Sequence, residues 1–99
     1  MATISIESEK ERGEGWLFII LVHTSGQPDI EDRRFEITLS WADYDYWSGG
    51  LRSPSQVARD CLEFALDQSS KTGTTIPGRF DASTLRRLFP DTDSYLRGA

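Results

Sequence analysis

The sequence predicts an α+β domain: a small three-stranded antiparallel meander, one main helix packed on the sheet, and a short C-terminal helix. Apolar and polar residues alternate with period two over residues 2–8 and 34–41, and residues 16–23 between them are apolar on both rows. A strongly capped amphipathic stretch follows Gly49-Gly50. A chain of 99 residues is the size of one domain, and it can bury a single core without staples.

The first strand is expected over residues 2–8, where Ile4 and Ile6 face one way and Thr3, Ser5 and Glu7 the other. Glu9 to Gly15 is charged and reads as an exposed loop. Residues 16–23 are apolar on both alternating rows, Trp16, Phe18, Ile20 and Val22 against Leu17, Ile19, Leu21 and His23. That pattern suits a central strand buried on both sides. Thr24 to Asp32 reads as a loop around Gly26 and Pro28. Residues 34–41 alternate again, with Phe35, Ile37, Leu39 and Trp41 inward and Arg34, Glu36, Thr38 and Ser40 outward.

The main helix is expected over residues 54–68. Ser53 caps it, Pro54 suits its first position and Gln56 completes a capping box. Val57, Ala58, Cys61, Leu62, Ala65 and Leu66 form its apolar stripe, opposite Gln56, Arg59, Asp60, Glu63 and Asp67. Ser69 to Gly78 reads as a polar connection. A second helix over residues 82–89 is signalled by Asp81 as cap and by Phe80 with Leu85 as a hydrophobic staple. Pro90 ends it, and the remainder, Asp91 to Ala99, either docks through Tyr95 and Leu96 or frays.

Composition narrows the function classes. The net charge is −5, and the basic pairs Arg33-Arg34 and Arg86-Arg87 are diluted by acids, which disfavours nucleic-acid binding. The longest apolar run, Trp16 to Val22, is far short of a membrane span. The N-terminus lacks the basic and apolar regions of a signal peptide. The single cysteine, Cys61, excludes an intrachain disulfide and suits a reducing compartment. The expected location is cytoplasmic.

Chemistry-bearing residues concentrate in Trp41-Ala-Asp-Tyr-Asp-Tyr-Trp47. Aromatic faces attract cations, and carboxylates add Coulomb attraction. Asp43, Tyr44, Asp45, Tyr46 and Trp47 are therefore candidate partner-binding residues for an Arg or Lys of a basic protein. The competing reading is structural: Trp41 in the core, Trp47 over the start of the main helix, and Asp43 and Asp45 as turn formers. Asp43-x-Asp45 and Asp91-x-Asp93 are also the spacing of a carboxylate pair for a hard cation. That gives the alternative class, a small-ligand or metal-binding domain or enzyme built on the Asp43/Asp45 aromatic loop. His23 stands at a strand end with no companion nucleophile, and Cys61 lies on an apolar stripe as an inert thiol.

No catalytic residue, cofactor or metal is assigned. The expected function is non-enzymatic, a small protein-interaction or regulatory domain. Leu17, Ile19 and Leu21 form a candidate interface on the second sheet face, unless the short helix covers them. A homodimer through that face is one way to bury them. A narrower expectation is an acidic inhibitor that meets a basic partner by charge-steered association. The β-β-β-α order is similar to that of small antitoxins with a truncated RNase-H-like sheet, a similarity of element order without a shared residue motif.

Overall fold

The computed structural model describes residues 2–24 and 33–98. Of the expected loop at Thr24 to Asp32, residues 25–32 lie outside that description. Strands β1 (Ala2–Arg12), β2 (Gly15–Thr24) and β3 (Arg33–Ser40) form the expected antiparallel meander. A fourth strand, β4 (Arg79–Asp81), pairs parallel to β3, so the sheet has four strands in the order β1-β2-β3-β4 and not three. β4 spans three residues, too few to show an alternation in sequence. Backbone pairing and side chains hold it: Arg79 Nε donates to Glu36 Oε2 at 2.8 Å, and Thr38 Oγ1 to Asp81 Oδ1 at 2.7 Å.

The stretch expected to be a loop from Glu9 continues β1 instead, and a two-residue turn at Gly13-Glu14 closes the hairpin. A bulge explains why the continuation is hidden. Pairing steps from Ile6↔Ile20 to Ser8↔Ile19, leaving Glu7 as the extra residue. Beyond it Glu9 and Glu11 lie opposite Phe18 and Trp16, and Ser8 and Lys10 opposite Ile19 and Leu17.

Trp41 was expected to end β3 in the core. It starts a helix instead, α1 (Trp41–Ser48), and is 52% exposed. Ser40 caps α1 by accepting from the Asp43 N–H at 3.1 Å, and Gly49 terminates it at φ 58°, its N–H bonded to the Asp45 carbonyl. These caps are present in the sequence. Period-two alternation running from Phe35 to Trp41 concealed them. α1 also has aromatic rings on more than one side, so it lacks the single apolar stripe that reveals a packed helix.

Helix α2 (Pro54–Thr72) begins as expected, with Ser53 Oγ accepting from the Gln56 N–H at 3.2 Å, and runs one turn further than expected. Its stripe packs on Phe18, Ile20, Phe35, Ile37 and Leu39, all buried on the inner sheet face. Phe64 adds a second apolar contact off that stripe. It meets Phe89 edge-on at 5.9 Å and stacks with Tyr95 at 4.6 Å. α2 is thus covered on its outer side by the C-terminal segment. There the expected second helix is divided into a 3-10 turn (Ala82–Thr84) and a short helix, α3 (Leu85–Leu88), followed by α4 (Thr92–Gly98). Asp81 caps the turn by accepting from the Ser83 N–H at 3.0 Å. Thr92 Oγ1, fully buried, donates at the carbonyls of Leu85 and Phe89, and Leu96 is buried beneath α4.

One arginine ties the helical layer together. Arg52 donates to the backbone carbonyls of Trp47 and Leu96 at 2.6 Å each and pairs with Asp60. These contacts join α1, α2 and α4 through a single guanidinium, and its planar fork suits several acceptors at once. Cys61 is buried on α2, and burial pushes its thiol well above the ordinary range, as an inert cysteine requires.

Candidate functional site

α1 is the element on which the chemistry concentrates, and its helical pitch divides the aromatic-acidic segment into two faces. The first carries Asp43, Tyr46 and Trp47. Trp47 is 2% exposed and donates its indole N–H to Asp93 Oδ1 at 2.8 Å. Arg86 lies over the Trp47 ring at 4.8 Å, pairs with Asp43 at 2.9 Å and donates to Asp93 at 2.7 Å. Arg97 lies over Tyr46 at 4.9 Å. The attraction of aromatic rings and carboxylates for a cation, anticipated from sequence, is satisfied on this face by the chain's own arginines.

The charge states follow from the contacts. The indole N–H of Trp47, and then Arg86, hold the Asp93 carboxyl below its ordinary value of 3.8. Burial pulls Arg86 down, but Asp93 and Asp43 outweigh it and keep the guanidinium more firmly protonated. Burial would push Asp81 up, but bonds from Ser83 and Thr38 outweigh it and lower its pKa. A carboxyl whose folded pKa is depressed contributes stability above its unfolded value and loses it as pH falls through the folded value. The urea midpoint is therefore expected to hold between pH 7 and about 4 and to drop below that. An Asp93→Asn variant should be less stable at neutral pH and fall less steeply in acid. Parallel curves for the two proteins below pH 4 would show that Asp93 is not part of the acid response.

The second face carries Trp41, Tyr44 and Asp45. Trp41 stacks on Trp16 of β2 with centroids 5.7 Å apart and planes 16° from parallel. Tyr44 meets Trp16 edge-on at 5.2 Å and donates its hydroxyl to the Arg52 carbonyl. Trp16, Trp41, Ala42, Tyr44 and Asp45 line an open groove of about 550 Å³. Glu11, the cross-strand neighbour of Trp16, lies at the same end of the sheet, and Glu14 borders Trp41 on its other side. Among the described residues, the carboxylates of Glu11, Glu14 and Asp45 have no ion pair or hydrogen bond. This groove is aromatic in its walls and anionic at its rim.

The chain matches no protein-family model, no curated protein and no solved structure.

The five residues nominated from sequence separate accordingly. Asp43 and Trp47 are engaged internally, Tyr46 is half-exposed beneath Arg97, and Tyr44 and Asp45 line the open groove. Asp43 and Asp45 face different surroundings and do not converge on one point. Asp93, paired in sequence with Asp91, is committed to Trp47 and Arg86. Among the described residues, no group of three or more His, Cys, Asp or Glu could hold a metal ion. Trp16 and Glu11 were not nominated. Trp16 belongs to the row read as core, and Glu11 reaches its place only because the hairpin continues to Arg12, which the bulge obscured.

The outer sheet face carries Leu17, Ile19 and Leu21, all half-buried. Lys10, Ser8 and Ser5 flank them from β1, and Thr38, Glu36 and Arg34 from β3. The apolar strip is thus one strand wide between polar ladders. The C-terminal helices do not cover it, since Leu85 and Phe89 join the core on the α2 side. Among the described residues, no helix is long and apolar enough to cross a membrane.

Proposed function

We propose that the chain is a small, non-enzymatic, cytoplasmic interaction domain that docks a basic protein in the groove between α1 and the β1–β2 hairpin. The supporting observation is the exposed Trp41 face, held flat by Trp16, beside the unpaired carboxylate of Asp45. Aromatic anchors dominate interface energetics, and anionic rims steer a cationic partner toward them. An inhibitory role toward that partner fits the same chemistry. Small acidic inhibitors bind basic targets by such charge-steered encounter.

The test is comparative capture from lysate of the source organism. Wild type, a Trp41→Ala/Asp45→Asn variant and a control Asp67→Asn variant on exposed α2 are used as bait. A basic protein is expected on wild type and the control, and at least tenfold less on the groove variant. Capture should weaken as salt rises. Equal recovery on all three baits would remove the groove from the interface and direct attention to Leu17, Ile19 and Leu21.

A further inference from the structure

We infer that the open groove reads arginine, in preference to lysine, on its partner; the inference rests on the interaction reading above and specifies the group recognised. The argument comes from comparing the two faces of α1. On the inner face the carboxylate of Asp43 and the ring of Trp47 stand four residues apart, and Arg86 bridges them, its Cζ over the ring at 4.8 Å and its guanidinium paired with Asp43 at 2.9 Å as well as with Asp93 at 2.7 Å. On the open face the ring of Trp41 and the carboxylate of Asp45 stand at the same four-residue spacing, with no cation between them among the described residues. The helix thus presents one ring–carboxylate pair twice, in opposite chain order, once filled and once empty.

The geometry of the filled copy explains why the group is a guanidinium. A planar guanidinium stacks flat on an indole while its edge N–H groups reach a carboxylate. An ammonium is a compact, strongly hydrated point charge that cannot present a flat face and a donor fork together. The cations over rings of α1, Arg86 on Trp47 and Tyr46 and Arg97 on Tyr46, are both arginines. The open ring is also prepared for stacking. Trp16 backs Trp41 at 5.7 Å, and Tyr44 braces Trp16 edge-on, so little side-chain ordering remains for a ligand to supply. Charge complementarity comes from Asp45 in the groove, with Glu14 beside Trp41 and Glu11 opposite Trp16 on the neighbouring strand.

The experiment titrates the 15N-labelled protein with two capped octapeptides of equal length and charge, four Gly-Arg repeats and four Gly-Lys repeats. The indole N–H resonances are followed. The chain has three tryptophans, and buried Trp47 serves as the internal report that the fold is intact. The Trp41 signal is expected to move with the arginine peptide at roughly tenfold lower concentration than with the lysine peptide. Asp45→Asn should weaken the arginine peptide most and bring the two peptides close together. Equal affinity for both, lost on Trp41→Ala, would overturn the arginine preference while keeping the groove as the basic-partner site. A Trp41 signal unmoved by either peptide, with Trp47 unchanged, would overturn the inference and the interaction reading together.

Discussion

Replacing Arg86 by methionine is expected to cost about 2–4 kcal/mol of folding stability, out of proportion to its position on a four-residue helix. Arg86 is the counter-charge of two carboxylates. Without it Asp43, whose side chain is only 14% exposed, would face Asp93 with no cation between them. The truncation would leave charges poorly solvated as well as removing hydrogen bonds. The Trp47 face would also lose its covering cation. Urea denaturation of the variant measures this directly. Arg86→Lys should recover part of the loss, because it keeps the charge and gives up the fork. Adding Asp43→Asn to Arg86→Met should recover part as well, since it removes one of the stranded charges. A loss below about 0.5 kcal/mol would mean that the cluster behaves like an ordinary exposed ion pair and does not organise α1.

Gly15→Ala is the second large effect, expected at about 2–3 kcal/mol. Gly15 opens β2 opposite Ser40, the last residue of β3. A Cβ there would lie 2.1 Å from the Leu39 carbonyl oxygen and 2.8 Å from the Ser40 Cα. Both obstacles are backbone, so no side-chain rotation relieves them, and the hairpin must move away from β3. The displacement falls where β3 turns into α1. There the Trp41 N–H is bonded to the Glu14 carbonyl at 2.8 Å, and Trp16 stacks on Trp41. The variant should therefore lose stability and the near-ultraviolet circular dichroism of the stacked indoles together. Unchanged stability with an unchanged aromatic spectrum would show that the close approach is unimportant. Because the same residue sets strand spacing and ring stacking, the shape of the groove is a product of backbone packing.

The sequence made the meander and α2 legible because β1, β3 and α2 each show one dominant period, β2 is a short continuous apolar run, and α2 has a clear cap. What it concealed was decided elsewhere. β4 owes its existence to backbone pairing with β3 and to Glu36 and Thr38, partners more than forty residues away. α1 was hidden because the alternation of β3 carries on into Trp41, and because rings on two sides of a helix produce no stripe. The candidate site was legible as composition, not as arrangement. Asp43, Tyr44, Asp45, Tyr46 and Trp47 are five consecutive residues, and nothing local says that Arg86 and Arg97 return to occupy part of that surface. Trp16 was assigned to a core row, yet the same ring backs the exposed Trp41. A period of two tells which row a residue shares, but not where the helix above the sheet stops.

Arg52 has a consequence for how the molecule opens. It holds the Trp47 and Leu96 carbonyls and the Asp60 carboxylate together. The segment after Asp91 could fray on sequence grounds, yet its last turn is latched to two earlier helices. Releasing it strips the Leu96 carbonyl from a guanidinium that also serves α1 and α2, and parts the Trp47 indole N–H of α1 from Asp93. Slow amide exchange would then register one cooperative helical layer, with α4 protected alongside α1 and α2. Thermal fluctuation at that end is thereby tied to the helix that bears the groove.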